Sequence, residues 1–213
     1  MPFDGWPEEA LEFYDALAAD NSKVYWTAHK AVYEDAVLRP MTELLEELAA
    51  EFGEARIFRP YRDVRFSADK SPYKTHIGAM IGTGYVQLSA EGLAAGDGMY
   101  GMAPSQLDRY RRAVASDRTG PALERVVAGI GQHGIGVSGR DVLKKAPRGY
   151  PADHPRIGLL RYKGVVAWHQ WPVEPWLETA AARDRVAGFL RTTQPLSRWL
   201  EEHVGAPAEH ETR

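Results

Sequence analysis

At 213 residues the chain is one large domain or two small ones, and its 44% hydrophobic and 26% charged residues suit an ordinary globular core. A formal net charge of −3 counts against wholesale coating of nucleic acid. The absence of cysteine removes disulfides, thiolate nucleophiles and cysteine-ligated zinc, and fits a reducing compartment.

The opening Met1-Pro-Phe-Asp-Gly-Trp has no basic region or apolar run, so no signal peptide is read there. No stretch approaches the roughly 20 apolar residues of a membrane span. The expectation is a cytoplasmic protein without membrane contact. A first helix starts near Pro7, with Asp4 or Gly5 at the cap and Leu11, Tyr14, Leu17 and Ala18 as its buried stripe. Ser22 caps a second helix from about Lys23 to Val37. Pro40 is expected to break or kink the path before a third helix, Met41 to Phe52, that Gly53 stops.

The period then changes. Val64 and Phe66 alternate with Asp63, Arg65 and Ser67, which predicts a half-buried strand over 63–67, followed by a turn at 68–72. His76 to Ile81, Tyr85 to Glu91 and Leu93 to Met102 read as further strands. Helices return at Pro104 and at about Pro121 to Gln132, and residues 134–142 are expected to be extended. A proline-rich loop over 144–156 leads to a short helix at Ile157 to Arg161, and Gly164 to Trp171 is a strand of strong β formers. Thr179 caps a last helix, which Pro195 is expected to restart. The expected fold is a single α+β domain over 1–204: N-terminal helices, a central mostly antiparallel sheet, and further helices packing on it. Residues 205–213 are expected to form a disordered tail.

One stretch asks for a function. Arg59 to Lys74 holds five cations (Arg59, Arg62, Arg65, Lys70, Lys74) against Asp63 and Asp69, a local +3 in a chain whose remainder sums to −6. On a strand, Asp63, Arg65 and Ser67 would share the face opposite Val64 and Phe66. Arg62 and Arg65 would grip an anion, Lys70 and Lys74 would add charge, and Asp63 or His76 would orient it or transfer a proton. Tyr73, in the same segment, is counted with these ligand-binding candidates. The competing reading is an internal salt-bridge network with no functional meaning. A weaker cationic loop holds Lys144, Lys145, Arg148, His154 and Arg156, of which Lys145, Arg148 and His154 are the binding candidates, and could close over the first. Aromatic residues near both stretches, among them Trp26, Tyr61 and Trp168, suit core packing better than base stacking. Three Gly-x-Gly-x-x-Gly matches lack the strand and helix that a dinucleotide site needs. The seven histidines show no metal-binding spacing, so no metal or other cofactor is expected.

Several segments together resemble the domain of unknown function 2461 family. They are Phe3-Asp-Gly-Trp-Pro7, Asn21-Ser-Lys-Val-Tyr-Trp-Thr-Ala-His-Lys30, the whole Arg59 to Lys74 motif, Lys145-Ala-Pro-Arg-Gly-Tyr-Pro-Ala-Asp-His-Pro155, and Leu159-Leu-Arg-Tyr-Lys163. The resemblance implies a single stand-alone domain with the cationic segment as its hallmark, and brings no reaction or ligand. Three readings stay open: a binding protein or enzyme for a small phosphate- or carboxylate-bearing molecule, an interaction module for protein or nucleic acid (nucleic acid disfavoured by the net charge), and a purely structural network. Oligomeric state is beyond the sequence.

Overall fold

The computed structural model describes residues 2–65, 68–139 and 141–211. Local sequence accounts for the first elements. Helix α1, Glu8–Ala19, begins after Pro7 with Glu8 and Glu9 in its first turn, where carboxylates favour the helix dipole. Its buried stripe is Ala10, Phe13, Tyr14 and Leu17; Leu11 is half-buried and Ala18 exposed, so the face is rotated from the predicted one. Ser22 caps α2, Lys23–Val32, by accepting a hydrogen bond from Tyr25 N–H at 3.1 Å.

Pro40 does not end the helical path. A π-helical turn, Tyr33–Leu38, leads directly into α3, Arg39–Phe52. Within it Arg39 N–H reaches back five residues to Glu34 O. Pro40, which has no N–H, therefore falls in the first turn of α3, where no donor is required. Gly53 stops α3 at φ 97°, a conformation that side chains rarely adopt.

The strands are β1 (Ala55–Ile57), β2 (His76–Ile81), β3 (Gly84–Ser89), β4 (Gly92–Met99), β5 (Gly136–Ser138) and β6 (Val165–Trp171), in sheet order β1-β2-β3-β4-β6-β5. The ladders β1–β2, β2–β3 and β5–β6 are antiparallel. Two-residue turns join β2 to β3 and β3 to β4. The later helices are α4 (Pro104–Ala115), α5 (Gly120–Gln132), α6 (Ile157–Leu160) and α7 (Ala181–His203). The fold is α+β, as the alternation of periods implies.

Helix α7 runs through Pro195 where the sequence predicts a restart. Leu190, Leu196, Trp199 and Leu200 are all buried along it. Burying each is worth about 1.5–3 kcal/mol, which together exceeds the about 3 kcal/mol that an interior proline costs. Among the described residues no helix is long and apolar enough to cross a membrane.

Two compact units emerge, Met1–Ala95 with Gln170–Phe189, and Gly96–His169 with Leu190–Arg213. The first buries Phe3, Trp6, Phe13, Tyr14, Leu17, Met41, Leu44, Ile77, Ile81 and Leu88. Its N-terminus is held where Glu47 accepts from Phe3 N–H at 2.7 Å and from Arg183 at 2.8 Å. The second buries Tyr110, Val114, Leu123, Ile130, Leu160 and Val165. The segment after Gly205, for which the sequence predicts no order, runs along α4 as far as Glu211. Gln106 donates to Gly205 O at 2.7 Å, and the Glu211 carboxylate accepts from Ser105.

Candidate functional site

Residues 59–65 and 68–74 belong to a loop tied at its base. Phe58 N–H donates to Gly78 O at 2.9 Å, Lys74 N–H to Pro60 O at 2.8 Å and Arg62 N–H to Pro72 O at 2.9 Å, around an antiparallel bridge between Tyr61 and Tyr73. The predicted strand over 63–67 is a correction: Asp63 to Arg65 are irregular. Phe66 and the predicted ligand-binding residue Ser67 lie outside the described residues. The loop's polar side chains satisfy backbone groups that a ladder would otherwise use. Asp63 accepts from Arg65 N–H at 3.2 Å, Asp69 from Ser71 N–H at 2.9 Å, and Lys70 Nζ donates to Val64 O at 3.0 Å.

The loop base is anchored to α2. Asn21 pairs with the Tyr73 backbone as a strand would, its amide donating to Tyr73 O at 3.1 Å and accepting from Tyr73 N–H at 3.0 Å. The buried Tyr73 ring stacks on buried Trp26 at 4.3 Å between centroids and 8° between planes. These two aromatics are core, as their spacing suggested. Tyr61 ends the stack 5.4 Å from Tyr73 and is 50% exposed.

The cations divide into two sets. Arg65 forms a two-pronged pair with Asp63, at 2.9 and 2.7 Å, and Arg62 pairs with Asp69. The Arg65 bonds hold the Asp63 carboxyl below the usual carboxylate range, and the Arg62 bond, helped by Ser71, holds Asp69 well below it. These pairs are solvent-exposed, so they shape the loop more than they stabilise the protein.

The second set makes no ion pair among the described residues, although the Asp63 carboxylate lies in the field of Arg59. Arg59 is exposed and makes no ion pair among the described residues. Lys74 Nζ donates to a neutral acceptor, Arg59 O, at 2.9 Å. Burial, then the charge of Arg59, pushes the Lys74 ammonium below its ordinary pKa. His76, the first residue of β2, is half-buried, and its imidazolium is disfavoured by burial, then by Lys74 and Arg62. The first unit carries 11 Lys and Arg against 19 Asp and Glu, yet Lys74 and His76 make no ion pair among its described residues.

His76 provides a direct check. Its folded-state pKa lies below the unfolded value of about 6.5, so the unfolded chain takes up the proton first as pH falls. The contribution of neutral His76 to stability is full above that value and is lost as pH drops through it toward the folded pKa. An NMR titration is expected to show a His76 midpoint below that of free histidine and a rise in Lys74→Ala. A midpoint at or above the free value refutes the positive field.

Lys145, Arg148 and His154 belong to the second unit, whereas Arg59 to His76 belong to the first. Lys145 and Arg148 are exposed, and His154 Nδ1 accepts from Arg156 N–H at 3.0 Å. The residue that matters in this loop is Arg156, only 6% exposed. Its Nε donates to Val114 O at 2.6 Å, and its Nη2 to Ala115 O at 3.0 Å and to Asp117 at 2.6 Å. It thus closes the C-terminus of α4, where a cation and free carbonyls attract. Nothing in the sequence distinguished it from its neighbours.

Also in the second unit, a groove of about 540 Å³ between α5 and α7 is lined by Ala122, Val126, Ile130, His133 and Pro195, and holds none of the predicted site residues. Among the described residues no group of three or more His, Asp or Glu is placed to hold a metal ion. Side chains that sequence reasoning left out of the site are Asn21, Phe58 and Gln87. Phe58 stands between Arg56 and Arg59 in the chain, which was the available signal.

Comparison with curated proteins finds no match, and comparison with solved structures finds none either. A family model described as "Conserved hypothetical protein" matches residues 9–199 and spans the helices, the cationic loop and the Arg156 segment. The chain belongs to that conserved hypothetical protein family, DUF2461.

Proposed function

We propose that the protein binds a small phosphate- or carboxylate-bearing molecule at the base of the 59–74 loop, where Lys74, His76 and Arg59 meet the anion. One observation carries this reading: Lys74 is partly buried with its Nζ on Arg59 O at 2.9 Å, the half-buried His76 lies in its field, and none of Arg59, Lys74 and His76 is ion-paired to a carboxylate among the described residues. An arriving anion removes that repulsion, and hydrogen bonds to charged groups are worth about 1.5–3 kcal/mol each. The paired Arg62 and Arg65 favour a structural role in the same loop, holding its shape through Asp69 and Asp63. The cysteine-free sequence fits a reducing compartment, and we take the cytoplasm as the setting.

Thermal melts in inorganic phosphate, sulfate or citrate test the reading. Each anion that binds is expected to raise the melting temperature, by about 2.7 kcal/mol of linkage at a concentration 100 times its Kd. Lys74→Ala is expected to abolish the rise, while Arg65→Ala leaves most of it. A wild-type melt indifferent to all three anions at matched ionic strength, or a rise that survives Lys74→Ala, refutes the site.

A further inference from the structure

In the first unit one face of the sheet is filled, and the opposite face presents half-buried residues beside the anion site. Along β2 and β3 the buried Ile77, Ala79, Ile81, Val86 and Leu88 share one face, and α3 packs against β1 and β2. On the opposite face His76 pairs with Ser89, Gly78 with Gln87 and Met80 with Tyr85. Apart from Gly78, these residues are half-buried. From His76 to Met80 is four residues at about 3.3 Å each, roughly 13 Å. That is far longer than an inorganic anion needs.

The surface is aromatic and supplied with donors. Tyr85 lies across Gly78, where a Cβ would come within 2.4 Å of the Tyr85 hydroxyl. The hydroxyl donates to Gln87 Oε1 at 3.0 Å, which occupies the amide oxygen and leaves the amide NH2 as a donor. Ser89 Oγ accepts from Glu91 N–H at 3.2 Å, so its own proton remains to be donated. The Phe58 ring stands 6.3 Å from that of Tyr85, with Arg56 and Lys74 at 5.2 and 5.4 Å from its centroid. Lys74 therefore touches both regions: it belongs to the cationic cluster and to the aromatic wall.

We infer that the ligand carries a planar unsaturated ring as well as its anionic group. The ring lies on the Phe58–Tyr85 surface, its acceptor atoms meet the Gln87 NH2 and the Ser89 hydroxyl, and the phosphate or carboxylate reaches Lys74, His76 and Arg59. The class is a ring-bearing monoanion or dianion of nucleoside monophosphate size. This rests on the anion-binding reading, and the following test separates the two.

Calorimetric titration of the full chain uses adenosine or uridine monophosphate, ribose 5-phosphate and inorganic phosphate as probes. Stacking on aromatic side chains is expected to make a nucleoside monophosphate bind about tenfold or more tighter than ribose 5-phosphate. Gln87→Ala and Phe58→Leu, each first checked for an unchanged far-UV spectrum and a cooperative melt, are expected to remove that advantage and leave ribose 5-phosphate binding as it was. Equal affinities for the nucleotides and ribose 5-phosphate, or variants that weaken both alike, overturn the ring and leave the anion site standing. If no phosphate compound binds, the ring inference falls, and a melt that is also indifferent to sulfate and citrate removes the anion site with it.

Discussion

Replacing Trp26 with alanine is expected to destabilise the protein by about 3–5 kcal/mol, the usual range for truncating a buried aromatic. Trp26 is 4% exposed and touches four rings: Tyr73 at 4.3 Å, Tyr33 at 4.8 Å, Phe13 at 5.9 Å and Tyr61 at 6.3 Å. It is the point where the α1–α2 core meets the base of the cationic loop, so its loss empties a cavity and frees Tyr73 together. Trp26→Phe retains an aromatic face and is expected to recover more than half of the loss. Chemical denaturation of the three proteins gives the comparison. If Trp26→Ala costs less than 1 kcal/mol, the loop is not seated on this ring. If the alanine variant folds and binds phosphate like the wild type, the loop needs no such seat.

Arg156→Ala is expected to cost about 3 kcal/mol, or about 6–12 °C in melting temperature for a chain of this size. The substitution strips donors from Val114 O and Ala115 O at the end of α4, in a place where water does not readily replace them. Asp117 is exposed and contributes little to the loss. Arg156→Lys keeps the charge but has no planar fork, so it is expected to recover only part of the stability. A loss within 1 kcal/mol of zero for the alanine variant refutes the capping role. Because Lys145 and Arg148 are exposed, alanine at either is expected to leave the melt unchanged, and this separates the buried cation from its neighbours in the same loop.

How much was readable in advance depended on the range over which each feature is decided. Helices α1, α2, α4 and α5 and strands β2, β3, β4 and β6 were legible because three-to-four and two-residue periods are local. Proline was misread twice for the same reason in reverse. Pro40 is accommodated by a π-helical turn and Pro195 by buried side chains on both sides, and neither compensation is visible at the proline itself. Strand β1 is only three residues long and escaped notice.

The stretch from Arg59 to Lys74 shows the same division. Its charge surplus, and so the place of interest, followed from counting residues. Its conformation did not, since Val64 alternates with charged neighbours as in a strand, while the ties at Tyr61–Tyr73 and the Asn21 side chain close the segment into a loop. The sequence by itself determined the α+β class, the family resemblance and the cationic segment. Tertiary contacts settled which cations are spent on the loop's own carboxylates and which make no ion pair among the described residues. Coulomb interactions and desolvation depend on distances and burial between residues remote in the chain, and no count of charges along it contains them.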